Sequence, residues 1–259
     1  MNNIILIEHA TVRREGVPIL DNVSFSVKEG EHVAVIGANG AGKSTLVQVI
    51  SEEVHPLYNP STKQLLFGKE RWQVSELRKK LGIVSQSLQW MCNSSDKGFD
   101  IVVSGFFSSI GLDFHHHVTE EETEKASLAM ERTGCLALRD KQMNRMSSGE
   151  ARRVLLARAC VHDPSVLLLD EAVGALDFPS RAQYRQIVRT FAREGKTIVL
   201  VTHELSEIIP EIDRVVVMRQ GKIIADGQKE DILTPPLLSE AYGTHVYVDR
   251  HDGLYNAWC

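Results

Sequence analysis

No run of eighteen apolar residues occurs in this 259-residue sequence, so nothing in it reads as a membrane-spanning helix. The opening Met1-Asn2-Asn3-Ile4 lacks the charged and apolar regions of a secretory leader, so export is not expected. Cysteine is scarce and scattered: Cys92, Cys135, Cys160 and Cys259 form no C-x-x-C pair. That pattern predicts free thiols in a reducing compartment, in packing or surface roles. An excess of positive charge is also missing. The formal net charge of −5 removes the general electrostatic reason to expect a nucleic-acid ligand. What remains is ordinary for a globular protein: 43% hydrophobic and 24% charged residues, on a length that suits one large domain or one domain with an insert.

Against that plain background stands Gly37-Ala38-Asn39-Gly40-Ala41-Gly42-Lys43-Ser44-Thr45, which fits the phosphate-loop pattern G-x-x-x-x-G-K-[ST]. The apolar run His32 to Ile36 before it suits a buried parallel strand, and Leu46 to Ile50 after it can continue as a helix. Gly37, Gly40 and Gly42 allow backbone conformations closed to other residues, so successive N–H groups converge on one anion. The helix start adds its dipole. Lys43 then reaches the terminal phosphates of a nucleotide, and Ser44 offers its hydroxyl to Mg²⁺.

Taken in order, Ile4 to Ile7 predicts a first strand, and Val23, Phe25 and Val27 alternate with polar residues as in a half-buried second. Gln64 to Phe67 and Gly82 to Gln86 are further short strands. Residues 88 to 146 read as a helical insert, with a loop at 93–98, a helix from Asp100 to Ser108, and a capping box at Thr119 that opens a helix ended by Gly134. His115-His116-His117 reads as a solvated loop, because three adjacent side chains do not converge on one ion. A second capping box, Ser147-Ser148-Gly149-Glu150, opens a helix with Val154, Leu155, Ala157 and Val161 on one face and arginines on another. Val166 to Leu169 runs into Asp170-Glu171, and Thr197 to Val201 into Thr202-His203. Gln220-Gly221 signals a hairpin. Pro235-Pro236 is read as the end of regular structure, apart from one strand around His245 to Val248. Strands alternating with helices predict a mostly parallel α/β sheet, whose ligands bind beyond the carboxyl ends of the strands. Gly37, Gln86, Asp170, Glu171 and His203 all fall there.

Those residue types suit phosphoryl transfer. Asp170 is a carboxylate able to hold Mg²⁺ against the Ser44 oxygen. Glu171 is the candidate to orient and deprotonate water. His203 and Gln86 are candidates for contact with the γ-phosphate or the attacking water.

The succession of P-loop, Gln86, Met146-Ser147-Ser148-Gly149-Glu150, Val166 to Glu171, Ala175-Leu176-Asp177 and His203 resembles an ATPase subunit of the ABC transporter family over about residues 3 to 233. The family signature L-S-G-G-Q reads M-S-S-G-E here. The resemblance implies a P-loop NTPase cassette: a RecA-like, mostly parallel sheet core with an antiparallel β edge and an inserted α-helical subdomain. It implies a single cassette over 1–240, with the insert at 88–146 carrying a partner-facing groove, and a short C-terminal tail at 241–259. Gly37, Asn39, Gly40, Ala41, Gly42, Lys43, Ser44 and Thr45 resemble the Walker A ligands of ATP, Ser147 and Gly149 the signature contacts, and Asp177 the D-loop. Gln86 resembles the Q-loop, Asp170 and Glu171 the Walker B pair, and His203 the H-loop switch. Glu171, His203 and Gln86 are thus the implied catalytic groups, and Ser44, Gln86 and Asp170 the implied Mg²⁺ ligands. The family's adenine-stacking aromatic is missing from Val12 to Gly16, where Arg14, with Arg13 as the alternative, is the substitute expected to stack its guanidinium on the base.

The same resemblance implies a head-to-tail dimer, with a second copy or a homologous cassette, around two ATP molecules. It also implies separate transmembrane permease subunits and a cytoplasmic station on the inner face of the cell membrane. Asp100-Ile101-Val102-Val103-Ser104-Gly105 resembles the corresponding stretch of metal-chelate, siderophore and molybdate importer ATPases, so import of a metal chelate or oxyanion is expected. The alternative is a soluble ABC ATPase acting on nucleic acid or ribosomes. Such proteins usually join two cassettes or carry long coiled coils, and this sequence shows neither. The solute is not written in this chain, because other subunits select it.

Overall fold

The computed structural model describes residues 3–171 and 176–259. Along the chain, β1 (Asn3–Arg14) and β2 (Val17–Lys28) are followed by β3 (Val33–Ile36), α1 (Lys43–Ile50) and β4 (Lys63–Leu66). Next come α2 (Val74–Arg78), β5 (Leu81–Ser85), α3 (Gln86–Met91), α4 (Gly98–Val103), α5 (Glu120–Arg132) and α6 (Ser148–Cys160). Then follow β6 (Val166–Asp170), α7 (Phe178–Arg193), β7 (Thr197–Thr202), β8 (Arg214–Arg219) and β9 (Lys222–Gln228). The chain closes with α8 (Lys229–Ile232), α9 (Pro235–Tyr242), β10 (Tyr247–His251) and β11 (Leu254–Trp258). These elements form two compact units, residues 1–72 with 197–259, and residues 73–196.

In the first unit β7, β3 and β8 run parallel side by side, with β9 antiparallel along the edge. The parallel strands are continuous apolar runs because both of their faces are covered; every residue of β3 and β7 is buried. Leu46, Val49 and Ile50 of α1 are buried as well. An antiparallel sheet of order β2-β1-β4 shows the predicted alternation, with Val23, Phe25 and Val27 inward and Ser24 outward. The first strand is longer than Ile4 to Ile7 and includes Val12, Arg13 and Arg14. Only Glu15-Gly16 turns, at φ 50° and 81°, the two left-handed positions of a tight hairpin. Gln220-Gly221 does the same at φ 48° and 78°, as its sequence indicated.

The reading of Pro235-Pro236 as a stop is corrected: they open α9. Proline's missing N–H is no loss in the first turn of a helix, and its φ is already helical. Gly243, at φ 69°, ends that helix, and Leu238 and Ala241 are buried beneath it. The strand expected near His245 is β10, and it pairs with β11 in an antiparallel hairpin.

In the second unit β5 and β6 are parallel, with Ser85 opposite Asp170. Helix α6 is enclosed by α4, α5, α7 and β5. Two of the arginines that the sequence places on its other face lie inside this packing. Arg152 and Arg158 are only 4% and 6% exposed. Burial lowers the Arg158 pKa, while its Nε donates to Ser104 Oγ at 3.4 Å and its Nη2 to the Ser109 carbonyl at 2.7 Å. Helix α4 is also corrected. It begins at Gly98 and ends at Val103, and irregular turns follow instead of helix to Ser108. A Cβ on the neighbouring Gly105 would lie 2.7 Å from the Arg158 carbonyl oxygen, so α6 passes close to this end. The Thr119 capping box and Gly134, at φ 63°, bound α5 as read.

Cys92, Cys135 and Cys160 are buried free thiols, and Cys259 is an exposed one. Burial pushes Cys135 up to about 11 and Cys160 up to about 12, so both stay protonated and inert. His116 Nδ1 accepts from the Asp113 N–H at 3.1 Å, and its ring stacks on Phe107. Among the described residues no cluster of His, Cys, Asp or Glu suits a metal ion, and no helix is long and apolar enough to cross a membrane.

Candidate functional site

In the first unit, Ile36 of β3 pairs with Thr202 of β7 and Val217 of β8. Gly37 and His203 therefore leave adjacent strands at the same level. Gly37 sits at φ 153°, and a Cβ there would run into the Met218 carbonyl oxygen. Gly42, at φ 103°, passes so close to β2 that a Cβ would lie 2.8 Å from the Ile19 carbonyl oxygen. The Ala41 carbonyl accepts from the Gly221 N–H at 2.9 Å, which ties the loop to the β8–β9 turn. No other residue type fits at either glycine.

Lys43 opens α1 and is 4% exposed. Its Nζ donates to the Gly37 carbonyl at 2.8 Å and the Ala38 carbonyl at 3.2 Å, which curls the ammonium under the loop. Ala41 and Thr45 are buried, whereas Asn39, Gly40 and Ser44 face solvent. A loop of backbone N–H groups, a helix start and one ammonium form a site for an anion. Arg14, at the end of β1, donates to Gln48 Oε1 on α1 at 2.7 Å.

In the second unit, Gln86 is the first residue of α3, whose cap Ser85 accepts from the Leu88 N–H at 3.1 Å. The register opposes Ser85 and Asp170, so Gln86 and Glu171 follow a matched pair of strand ends. Glu171 has φ 47°, in the left-handed region that a side chain of its type seldom occupies. Arg152 Nη2 donates to its carbonyl oxygen at 3.1 Å and holds that turn.

Ser147 caps α6 with both bonds of the capping box formed. The Glu150 carboxylate accepts from Lys141 at 2.7 and 2.9 Å, and that hydrogen bond is the main reason its pKa is lowered. Its charge is thereby turned back toward the protein. Ser148 lies within α6 and is not among the positive-φ residues, so it stands in for glycine without strain. Gly149 is buried against α7, where a Cβ would lie 2.5 Å from Ser180 Oγ and 2.6 Å from Ser180 Cβ. Asp177 caps α7, its Oδ1 accepting from the Ser180 N–H at 2.9 Å. The signature run and the Asp177 turn are thus joined through Ser180. Ala175, at the start of that run, and Ala172-Val173-Gly174 lie outside the described residues.

The candidates accordingly divide. Arg14, the loop from Gly37 to Thr45 and His203 belong to the first unit, and Gln86, Ser147, Gly149, Asp170, Glu171 and Asp177 to the second. Sequence reasoning missed Arg152, Lys141, Ser180 and Tyr242, each of which holds one of these segments. Only Tyr242 left a trace, because proline at a helix start and glycine past its end frame the helix that carries it.

Near α3, Leu88 is buried, whereas Trp90 and Met91 are 76% and 57% exposed. Trp90 borders a cavity of about 470 Å³ with Asn93, Met143, Met146 and Ser148.

Comparison with known proteins gives one family model, described as "ABC transporter", which matches residues 20–174. The uncharacterized ABC transporter ATP-binding protein YlmA of Bacillus subtilis (strain 168) is 33% identical over 95% of this chain and 93% of its own length. The hemin import ATP-binding protein HmuV of Escherichia coli O157:H7 is 32% identical, covering 90% of each chain. Among solved structures, the ADP conformation of MJ1267, an ATP-binding cassette of an ABC transporter, superposes with a TM-score of 0.79. It is 23% identical and covers 93% of this chain and 98% of that one.

Proposed function

Because this chain belongs to the ABC transporter family, as an ATP-hydrolysing subunit, we propose that it dimerises head-to-tail with a second cassette around two ATP molecules, the phosphate loop binding the nucleotide and Glu171 serving as the base. The observation that carries this reading is the clamped glycine loop with Lys43 curled beneath it. An ammonium already held by two carbonyls exchanges them for phosphate oxygens at little reorganisation cost, which favours the β- and γ-phosphates of ATP. Gly37, Asn39, Gly40, Ala41, Gly42 and Thr45 line the phosphates. Arg14 stacks on adenine after leaving Gln48.

Ser44, Gln86 and Asp170 offer hydroxyl, amide and carboxylate oxygens, the hard donor set that suits Mg²⁺, and would hold it. Bound there, the ion would neutralise charge on the phosphate oxygens. Glu171 takes the proton from the attacking water, and Gln86 and His203 contact that water or the γ-phosphate. The strained backbone at Glu171 and its carbonyl bond to Arg152 support a carboxylate held in one orientation.

The other face of the nucleotide belongs to the signature of the opposing cassette. There Ser147 and Gly149 open a 13-residue helix whose N-terminal dipole faces the γ-phosphate, and Asp177 lies at the same junction. The layout we propose is a cassette over 1–240, an insert at 88–146 and a tail at 241–259. The exposed pair Trp90 and Met91 in the insert receives a helix of the permease subunits, on the cytoplasmic face of the membrane. Import is favoured by the hemin importer relative and by the Asp100-to-Gly105 stretch, with a metal chelate or oxyanion as the solute class.

Glu171→Gln tests the site. It keeps the shape of the side chain and removes the base, so hydrolysis falls by about 10²–10⁴-fold while ATP binding survives. Unchanged turnover in the purified variant removes Glu171 from that role.

A further inference from the structure

Beyond Thr202, the last residue of β7, the chain turns through His203 and Glu204. The local hydrogen bond at this turn runs from the Glu204 N–H to Thr202 Oγ1 at 2.9 Å, a motif that any threonine can make. A second bond comes from far along the chain. The hydroxyl of Tyr242, the final residue of α9, donates to the His203 carbonyl oxygen at 3.3 Å, across 39 positions of sequence. The Gly37 backbone amide interacts with the same hydroxyl, against a burial that pushes Tyr242 up to about 12. The phenol therefore stays protonated throughout the physiological range. Gly37 opens the phosphate loop, and its carbonyl receives Lys43 Nζ at 2.8 Å. One hydroxyl thus meets the exits of both β3 and β7.

The surroundings extend this connection. A cavity of about 410 Å³ beside His203 is walled by Tyr242, Val246, Asn256 and Trp258. Strand β11 packs against the short turn Leu205–Glu207 just after the histidine. The last helix and hairpin of the chain are therefore built around the peptide from which the imidazole projects.

We propose that Tyr242 is a positioning residue for ATP hydrolysis, whose hydroxyl fixes the His203 peptide and so aims the imidazole at the γ-phosphate. The proposal rests on the reading of His203 as a γ-phosphate contact. The physical requirement is strict, since a misplacement of about 1 Å in a catalytic group can cost about 100-fold in rate. The distant hydroxyl adds to the turn's own bond a tie that is anchored on another helix. Tyr242 touches no reacting atom, so its effect falls on the rate of the chemical step and not on nucleotide affinity.

The test uses the full chain with Mg-ATP and two variants. Tyr242→Phe keeps the ring and its packing and deletes the neutral hydrogen bond to the His203 carbonyl together with the contact to the Gly37 amide. We expect kcat to fall about 3–10-fold, the range of one such bond, with KM for ATP unchanged and the melting temperature lowered by no more than about 6 °C. His203→Ala loses most turnover, and in that background Tyr242→Phe has no further effect, because the group it positions is gone. Wild-type turnover in Tyr242→Phe alongside loss in His203→Ala overturns the positioning role and leaves the histidine reading intact. Wild-type turnover in His203→Ala overturns both. A raised KM that tracks a lowered melting temperature in Tyr242→Phe assigns the hydroxyl to shaping the loop or the fold, which also overturns the proposal.

Discussion

Gly149→Ala is the perturbation whose size follows most directly from the geometry. The added Cβ lies 2.6 Å from Ser180 Cβ and 2.5 Å from its hydroxyl oxygen, where ordinary contact begins at 3.4 Å. The hydroxyl can rotate away, but Ser180 Cβ is fixed to its helix. The two helices must then separate by about 0.8 Å, the difference between 3.4 and 2.6 Å, and overpacking of this kind costs about 1–3 kcal/mol. For a chain of this size each kcal/mol lowers the melting temperature by about 2–4 °C, so a loss of about 2–12 °C is expected. Differential scanning calorimetry on the purified chain measures it.

Rescue sharpens the test. Ser180→Gly removes the Cβ and should restore the melting temperature of Gly149→Ala, less up to about 1 kcal/mol for glycine in a helix. Ser180→Ala keeps the Cβ and should not. Separation also displaces Asp177, which caps α7 at Ser180, so hydrolysis should fall together with stability and return with it. A Gly149→Ala protein as stable as wild type refutes this reasoning, and so does rescue by Ser180→Ala as good as by Ser180→Gly. Loss of hydrolysis at unchanged stability would give Gly149 a role in backbone approach to the nucleotide alone.

Two further outcomes concern the partners of the site. Trp90→Glu alters a side chain that is 76% exposed, so folding and ATP affinity should hold within about 0.5 kcal/mol, while the chain should no longer sediment with membranes from its own cells. Retention equal to wild type removes Trp90 from the docking surface, and a wild type that binds ribosomes with steep salt dependence replaces the transporter reading altogether. Arg14→Ala should weaken ATP binding by about 0.5–2 kcal/mol if the guanidinium stacks on adenine. Calorimetry showing equal affinities rules that contact out.

Much of this protein is determined locally, and that part was legible. A parallel strand buried on both faces has to be apolar throughout, which is why Val33 to Ile36 and Thr197 to Val201 announce themselves. Positive φ at a tight turn demands particular residues, so Gln220-Gly221 could be read as a hairpin. A capping box needs only four consecutive positions, so the starts of α5 and α6 were visible before any tertiary contact was known. The phosphate loop belongs here too, because its curvature depends on glycines that no packing could replace. The family resemblance rests on such local segments placed in a fixed order.

What tertiary structure alone decided are contacts between segments far apart in sequence. Amphipathic spacing set the arginines of α6 on a face apart from the apolar one, and only the packing made Arg152 and Arg158 internal ties. Trp90 and Leu88 are equally apolar, and only the packing around α3 leaves one exposed and buries the other. Gly149 reads as signature backbone, yet its lack of a side chain also answers to Ser180 on another helix. The prolines at 235 and 236 looked like a stop because their rigidity ends helices from within. At a helix start the same rigidity is favourable, and the helix that follows carries Tyr242 to the His203 peptide. A hydrogen bond spanning 39 residues has no periodicity and no neighbouring residues that betray it. It exists only once β7 and α9 have packed into the same unit.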